Sequence, residues 1–419
     1  MKRHCLFVLI AVLLPLSLVA RADSLSAIFT NVTPAATTAI PRRANIILIV
    51  TDSLGYGDLS CYGQTKFATP NLDKLAAGGI RFTNYYAAAA ASSPAHASLL
   101  LGQAAGHLKQ RADVDVPLAP DETTVAQLLK NSGYHTGLIG EWNLGDETTA
   151  GAPWKKGFDE FAGYLDSTDA ENYYADYIWR YAPHSIVNPT NNQIEDYAGR
   201  EMLYPNTGGK KEQYIPDLYT KAAKNFVVNN RPDQFNRYRP FFLVVNYVTP
   251  RASAAEAKRT GNGMQVPTDA PFSSEAWPPA EKNKAAMIAR LDGDMGNLVE
   301  QLQKFNQFSN TVFFFTSAST AKAGGGVDPQ FFASNVATND LRVPMIVSWP
   351  GKIPAGRVSN LRWGAKDFAP TALQIGYVKP AANFTGISVL PVLLGHPGTN
   401  TPALPDSRNF VPATTLPNN

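Results

Sequence analysis

The chain has 419 residues, 44% of them hydrophobic and 17% charged, which is apolar enough to bury a sizeable core and excludes a disordered chain. The formal charge of +3 falls to zero without Lys2, Arg3 and Arg21, so no basic excess points to nucleic acid or to an anionic membrane. Two cysteines, Cys5 and Cys61, exclude a disulfide-stapled scaffold.

Residues 1–22 read as a secretory signal peptide. Lys2-Arg3-His4 is the basic region, Cys5 to Ala20 the apolar run, and Ala20-Arg21-Ala22 the small-x-small cleavage pattern. The run is short for a membrane span and carries Pro15. Cleavage after Ala22 leaves an exported protein, periplasmic or secreted, with Cys61 as its single cysteine and no membrane partner. Residues 23–43 form a Ser/Thr/Ala/Pro-rich linker, 44–394 one α/β domain, and 395–419 a Pro/Asn/Thr tail.

Five apolar runs predict strands buried on both faces: Asn45–Thr51, Thr136–Gly140, Phe241–Asn246, Thr311–Thr316 and Val343–Trp349. Helical patterns lie between them. Pro70–Ala76 stops at Gly78-Gly79, Glu122–Ser132 stops at Gly133, and Ala285–Phe305 carries an apolar stripe from Met287 to Leu302. Ser92 as N-cap and Pro94 near N1 open a further helix through Leu101. Alternating strands and helices predict a mostly parallel mixed sheet sandwiched between helices. Residues 160–235, rich in Tyr, Asn and Asp, read as an insertion over one edge of that sheet.

Ligands of such sheets bind at the C-terminal ends of the strands. The residues to inspect there are Asp52-Ser53, Glu141-Trp142-Asn143, Thr249-Pro250-Arg251 and Ala318-Ser319, with the Ser92-Ser93-Pro94-Ala95-His96 helix start. These stretches, with Asn45–Tyr62, Thr69–Tyr86, Ser92–Gly102, Gly133–Gly145, Gly157–Gly163, Asn310–Ser317, Asp328–Phe332, Leu341–Gly356 and Gly386–Pro391, resemble the sulfatases of the alkaline-phosphatase-like superfamily from Asn45 to about Leu394. The part after them is shorter than that family's usual C-terminal subdomain.

The resemblance implies sulfuric ester hydrolysis. A Cys or Ser in a C/S-x-P-x-R motif becomes formylglycine, and a divalent cation, usually calcium, is held by an Asp-Asp pair and an Asp-Asn pair. An arginine, two lysines and two histidines hold the sulfate and the formylglycine. A hard cation needs several oxygen ligands, and developing negative charge needs preorganised donors. Carried over position by position, Asp52 keeps the first metal position and Ser92 the formylglycine position. Ser53 replaces the second aspartate, His96 the arginine, Glu141 a lysine, Asn143 and Arg251 the two histidines, and Ala318-Ser319 the Asp-Asn pair. The second lysine falls near Val336–Asp340, where the segment is shortened. Two of ten expected positions survive.

Each residue also has a structural reading. Asp52 caps the backbone N–H groups of the next turn, Ser92 is an ordinary N-cap, and Glu141 pairs with Arg251 in place of the anion site. His96, His107 and His135 lack metal-ligand spacing, and Gly324-Gly325-Gly326 is a turn rather than a phosphate cradle. Two function classes follow: an active arylsulfatase-type hydrolase using Ser92 as formylglycine precursor, or an inactive homologue kept for binding or regulation. Loss of carboxylate ligands and charge reversal at Glu141 favour the second, with neither calcium nor formylglycine in use. The ligand class implied is a sulfated or anionic small molecule or glycan; nothing names a protein partner.

Overall fold

The computed structural model of the chain describes residues 42–110, 116–187, 193–232, 239–320, 326–328, 331–332 and 341–396. The signal peptide, almost all of the linker, Gly324-Gly325, Val336–Asp340 and nearly all of the tail lie outside these described residues. From Arg43 on, the chain forms one compact unit.

The strands are β1 Asn45–Thr51, β2 Ile80–Phe82, β3 Tyr85–Tyr86, β4 His135–Glu141, β5 Glu160–Tyr164, β6 Tyr177–Val187, β7 Ile194–Met202, β8 Phe241–Asn246, β9 Thr311–Ser317, β10 Met345–Ser348, β11 Arg357–Ser359 and β12 Trp363–Gly364. The helices are α1 Pro70–Ala77, α2 Ser92–Leu101, α3 Val125–Asn131, α4 Ser167–Ala170, α5 Ile215–Asn229, α6 Ala254–Thr260, α7 Pro279–Lys304, α8 Phe368–Ile375 and α9 Leu390–Leu393. Ten strands make one sheet in the order β11-β2-β10-β9-β1-β8-β4-β5-β6-β7, while β3 and β12 pair separately. The centre, β9-β1-β8-β4-β5, is parallel; β10, β6 and β7 add antiparallel edges.

The central strands are continuous apolar runs because both faces are covered. In β1, Ile46, Leu48 and Val50 pack with α2, α3 and α8, whereas Ile47 and Ile49 pack with α1, α5 and α7. All five predicted strands are present, and the register aligns Val50 with Asn246 on one side and with Thr316 on the other. That alignment brings the ends of β1, β8 and β9 together, with the end of β4 beside β8.

Three readings change. The 160–235 segment is not laid over the sheet edge; β5, β6 and β7 build that edge, and α5 covers a face. The long helix starts at Pro279 rather than Ala285, with Pro279 in its first turn, where a missing N–H costs nothing. Ser92 is not the N-cap of α2: Ala91 holds that position and Ser92 is the first helical residue, making no capping bond.

Candidate functional site

The residues that follow or close β1 and β4 and the start of α2 converge on the guanidinium of Arg251, which lies beyond the end of β8 and is 9% exposed. Ser319, beyond β9, reaches Asp52. Arg251 Nη1 donates to Asp52 Oδ2 at 2.7 Å and to both Glu141 oxygens at 3.2 Å; Nη2 donates to Glu141 Oε1 at 3.3 Å and to the Ser167 carbonyl at 3.3 Å. Nη1 also lies 3.4 Å from Ser92 Oγ, which accepts from it. Among the described residues the Nε–H has no hydrogen-bond partner, and Glu171 Oε1 stands 3.7 Å away, a charge contact only. Tyr173 fixes the backbone by donating its hydroxyl to the Arg251 carbonyl at 2.7 Å.

Asp52 is almost wholly buried at the end of β1. Its Oδ1 accepts from Ser53 Oγ at 3.1 Å and from Ser319 Oγ. The capping role expected of Asp52 is taken by others. Ser319 Oγ accepts from the Ser53 N–H, Ser317 Oγ from the Leu54 N–H, and Asp58 Oδ2 from the Gly55 N–H. Ser53 sits at φ 64, a left-handed conformation that costs a serine on the order of 1 kcal/mol and is held by these bonds. Ala318 offers only a backbone N–H, to the Thr51 carbonyl at 2.8 Å.

His96 lies on the inner face of α2, where Asn246 Nδ2 approaches its Nε2 at 3.1 Å and also donates to the Glu141 carbonyl at 2.6 Å. Burial pushes the His96 pKa down to about 4 against the pull of Asp52, so the ring is neutral. Asn143 contributes no side-chain hydrogen bond to the cluster among the described residues. It is left-handed at φ 55, and its N–H bonds the Leu165 carbonyl at 3.0 Å.

Burial raises Glu141 to about 7, Arg251 opposing and Asp52 adding to the rise. For Arg251, burial works to remove the charge, but Glu141 and then Asp52 outweigh it and hold the group above its ordinary value. The cluster is thus three carboxylates around one fixed cation, the pairing of Glu141 with Arg251 anticipated from the sequence. Strand-end reasoning did not find Glu171, Asn246 or the Ser167 carbonyl. Asn246, a polar residue closing an apolar strand, carried a usable signal; Glu171 and Ser167 lie in an aperiodic stretch and carried none.

A divalent cation does not fit these residues. Asp52 is the one carboxylate at the metal positions, and its oxygens are already committed to Arg251, Ser53 and Ser319. A hard cation needs six to eight oxygens, several charged. Among the described residues no group of three or more His, Cys, Asp or Glu side chains could hold a metal.

Comparison with known proteins agrees with the α/β architecture. The sulfatase family model matches residues 44–376. N-acetylgalactosamine-6-sulfatase of Canis lupus familiaris is 28% identical over 383 residues, covering 86% of this chain and 68% of that protein. Arylsulfatase A of Homo sapiens is 29% identical over 382 residues, covering 86% and 70%. The chain therefore spans about two thirds of the length of these relatives. A crystal structure of Ps i-CgsB in complex with k-i-k-neocarrahexaose superposes with a TM-score of 0.67 at 29% identity, over 85% of this chain and 77% of that one. The phosphonate monoester hydrolase of Agrobacterium radiobacter shares the fold at a TM-score of 0.56 and 19% identity, over 85% of this chain and 78% of that one. With most of its length matched in sequence and in architecture, this chain belongs to the sulfatase family.

Proposed function

We propose that this protein is a sulfatase-family member without sulfatase catalysis, in which an internal ion cluster replaces the cation and anion centre, and that its role is binding or regulatory. The observation that carries the reading is the bridge from Arg251 to Asp52 and Glu141 at 2.7 and 3.2 Å. It neutralises the retained metal-position carboxylate with a side chain and sets a carboxylate where a sulfate would need a donor. Ser92 keeps a position but lacks the means to act: its neighbour His96 is a neutral, buried ring, and its hydroxyl faces Arg251 rather than a base.

The proposal includes export through the leader of residues 1–22, supported by its charge and cleavage pattern. Among the described residues no helix is long and apolar enough to cross a membrane. The names of the relatives make a sulfated glycan the ligand class to test. The cluster itself offers a sulfate one guanidinium already paired and three carboxylates, so a glycan is expected to bind without seating its sulfate there.

The test is expression in a host that matures serine-type sulfatases, followed by an aryl-sulfate assay and peptide mass spectrometry across Ser92. An unmodified serine and no turnover are expected. Oxidation of the Ser92 hydroxymethyl to an aldehyde, together with desulfation, overturns the reading in favour of an active hydrolase.

A further inference from the structure

The ten-stranded sheet ends in β7, and among the described residues nothing pairs with its outer edge. Edge strands are templates for further pairing and are usually blunted by charged side chains, lysine above all, by proline or by a bulge. β7 contains no proline, and its charged residues, Glu195, Asp196, Arg200 and Glu201, are of both signs, so they oppose a random partner strand but not one of complementary order. The irregularity of this hairpin, between Ala182 and Ile186, lies in β6. Seven large hydrophobic side chains are exposed in the described chain, and five of them are on or beside this hairpin: Ile186, Val187, Ile194, Met202 and Tyr204. Such a concentration marks an interaction surface.

The order of residues along β7 indicates what pairs with it. Exposure alternates strictly, so Ile194, Asp196, Ala198, Arg200 and Met202 share the more exposed face. A two-fold axis through Ala198 and perpendicular to the sheet would set Ile194 opposite Met202, Asp196 opposite Arg200, and Ala198 opposite itself. Every cross-strand pair on that face is then apolar with apolar, acid with base, or small with small. On the other face Tyr197 meets Gly199, which has no side chain to oppose the ring. Glu195 meets Glu201, whose charge is already met by Arg180 at 3.0 Å. Moving the axis to Tyr197 or Gly199 shortens the ladder and sets Asp196 against Ala198 or Met202. Arg200 is held in place by stacking over Tyr177 at 4.5 Å, while Asp196 accepts from Tyr181 and from the His184 N–H.

We propose that β7 pairs antiparallel with β7 of a second copy, giving a two-fold dimer with one sheet continuous across both subunits. The interface is isologous, so each charge pair occurs twice. Sedimentation of the full chain, with and without charge reversal, tests it. The wild type is expected to form a concentration-dependent dimer. Arg200→Asp and Asp196→Arg each set like charges opposite one another at two places, and each should weaken self-association about tenfold. An equimolar mixture of the two variants restores both acid–base pairs and should recover a dimer near wild-type strength. Circular dichroism matching wild type establishes that each variant is folded. A folded wild type that stays monomeric at the highest attainable concentration overturns the proposal. So do open-ended assemblies, or a dimer that neither variant weakens and the mixture does not recover.

Discussion

Both terminal nitrogens of Arg251 are engaged by carboxylates or by the Ser167 carbonyl, and removing them leaves Asp52 and Glu141 buried without a cation. Breaking a buried pair by deleting one partner costs about 3–5 kcal/mol. Arg251→Met is expected to lose that much stability in urea unfolding, and more at pH 8 than at pH 6, because proton uptake by Glu141 relieves the repulsion. A loss below about 1 kcal/mol, the range of an exposed pair, would show that the cluster is not structural. His96 makes a second test. Its ring is held neutral down to about 4, so the stability it confers is complete above the ordinary histidine pKa of ~6.5 and is lost as pH falls through 4. Glu141 runs the other way: its contribution is complete below the ordinary carboxylate range and is lost as pH rises through about 7. The wild-type curve shows the difference of the two. Comparison with His96→Leu isolates the histidine, and the variant should lose about 3 kcal/mol less than wild type between pH 6.5 and 4. Parallel curves would contradict the buried neutral ring.

Among the elements, α7 does more than cover the sheet. Lys284 pairs with Asp58 at 3.1 Å, and Asp58 in turn holds the turn after β1 through the Gly55 N–H. Asp292 accepts from the N–H groups of Asn71 and Leu72 at 3.1 and 2.8 Å, capping α1 from another helix because Thr69 makes no side-chain cap. Asp292→Ala should therefore cost about 1–3 kcal/mol by orphaning buried donors, read from the thermal midpoint, whereas the exposed Lys210 next to Glu212 should be replaceable without measurable loss. These ties also show where sequence reading stops. β1, β8 and β9 were legible because full burial makes them continuous apolar runs. β6 and β7 were not, since half-exposed strands rich in Tyr, Arg and Glu carry no apolar alternation. Asp52, Glu141 and Arg251 could be named as strand-end residues and the Glu141–Arg251 pair anticipated. The approach of Glu171 depends on how a four-residue helix docks, and no local pattern encodes that. Ser92 was misread as a cap because residue preference cannot tell N-cap from N1 when the preceding alanine takes the capping conformation.

Across the whole molecule, the departures from the sulfatase pattern fall at strand ends and in the first turns of α2, and all but Ala318 lie outside the two apolar layers that flank the sheet. The architecture and the chemistry are therefore separable, and the family fold persists around a site whose cation is a side chain. On the proposed reading the retained metal-position carboxylate, Asp52, is already paired with Arg251, so chelation should leave the melting temperature unchanged. Calorimetric titration of the purified protein with calcium measures this most directly. No heat of specific binding is expected, with the same melting curve in chelator and in excess calcium. A saturable site of micromolar affinity that raises the melting temperature would mean that Arg251 yields Asp52 to a metal, and would contradict the internal ion cluster.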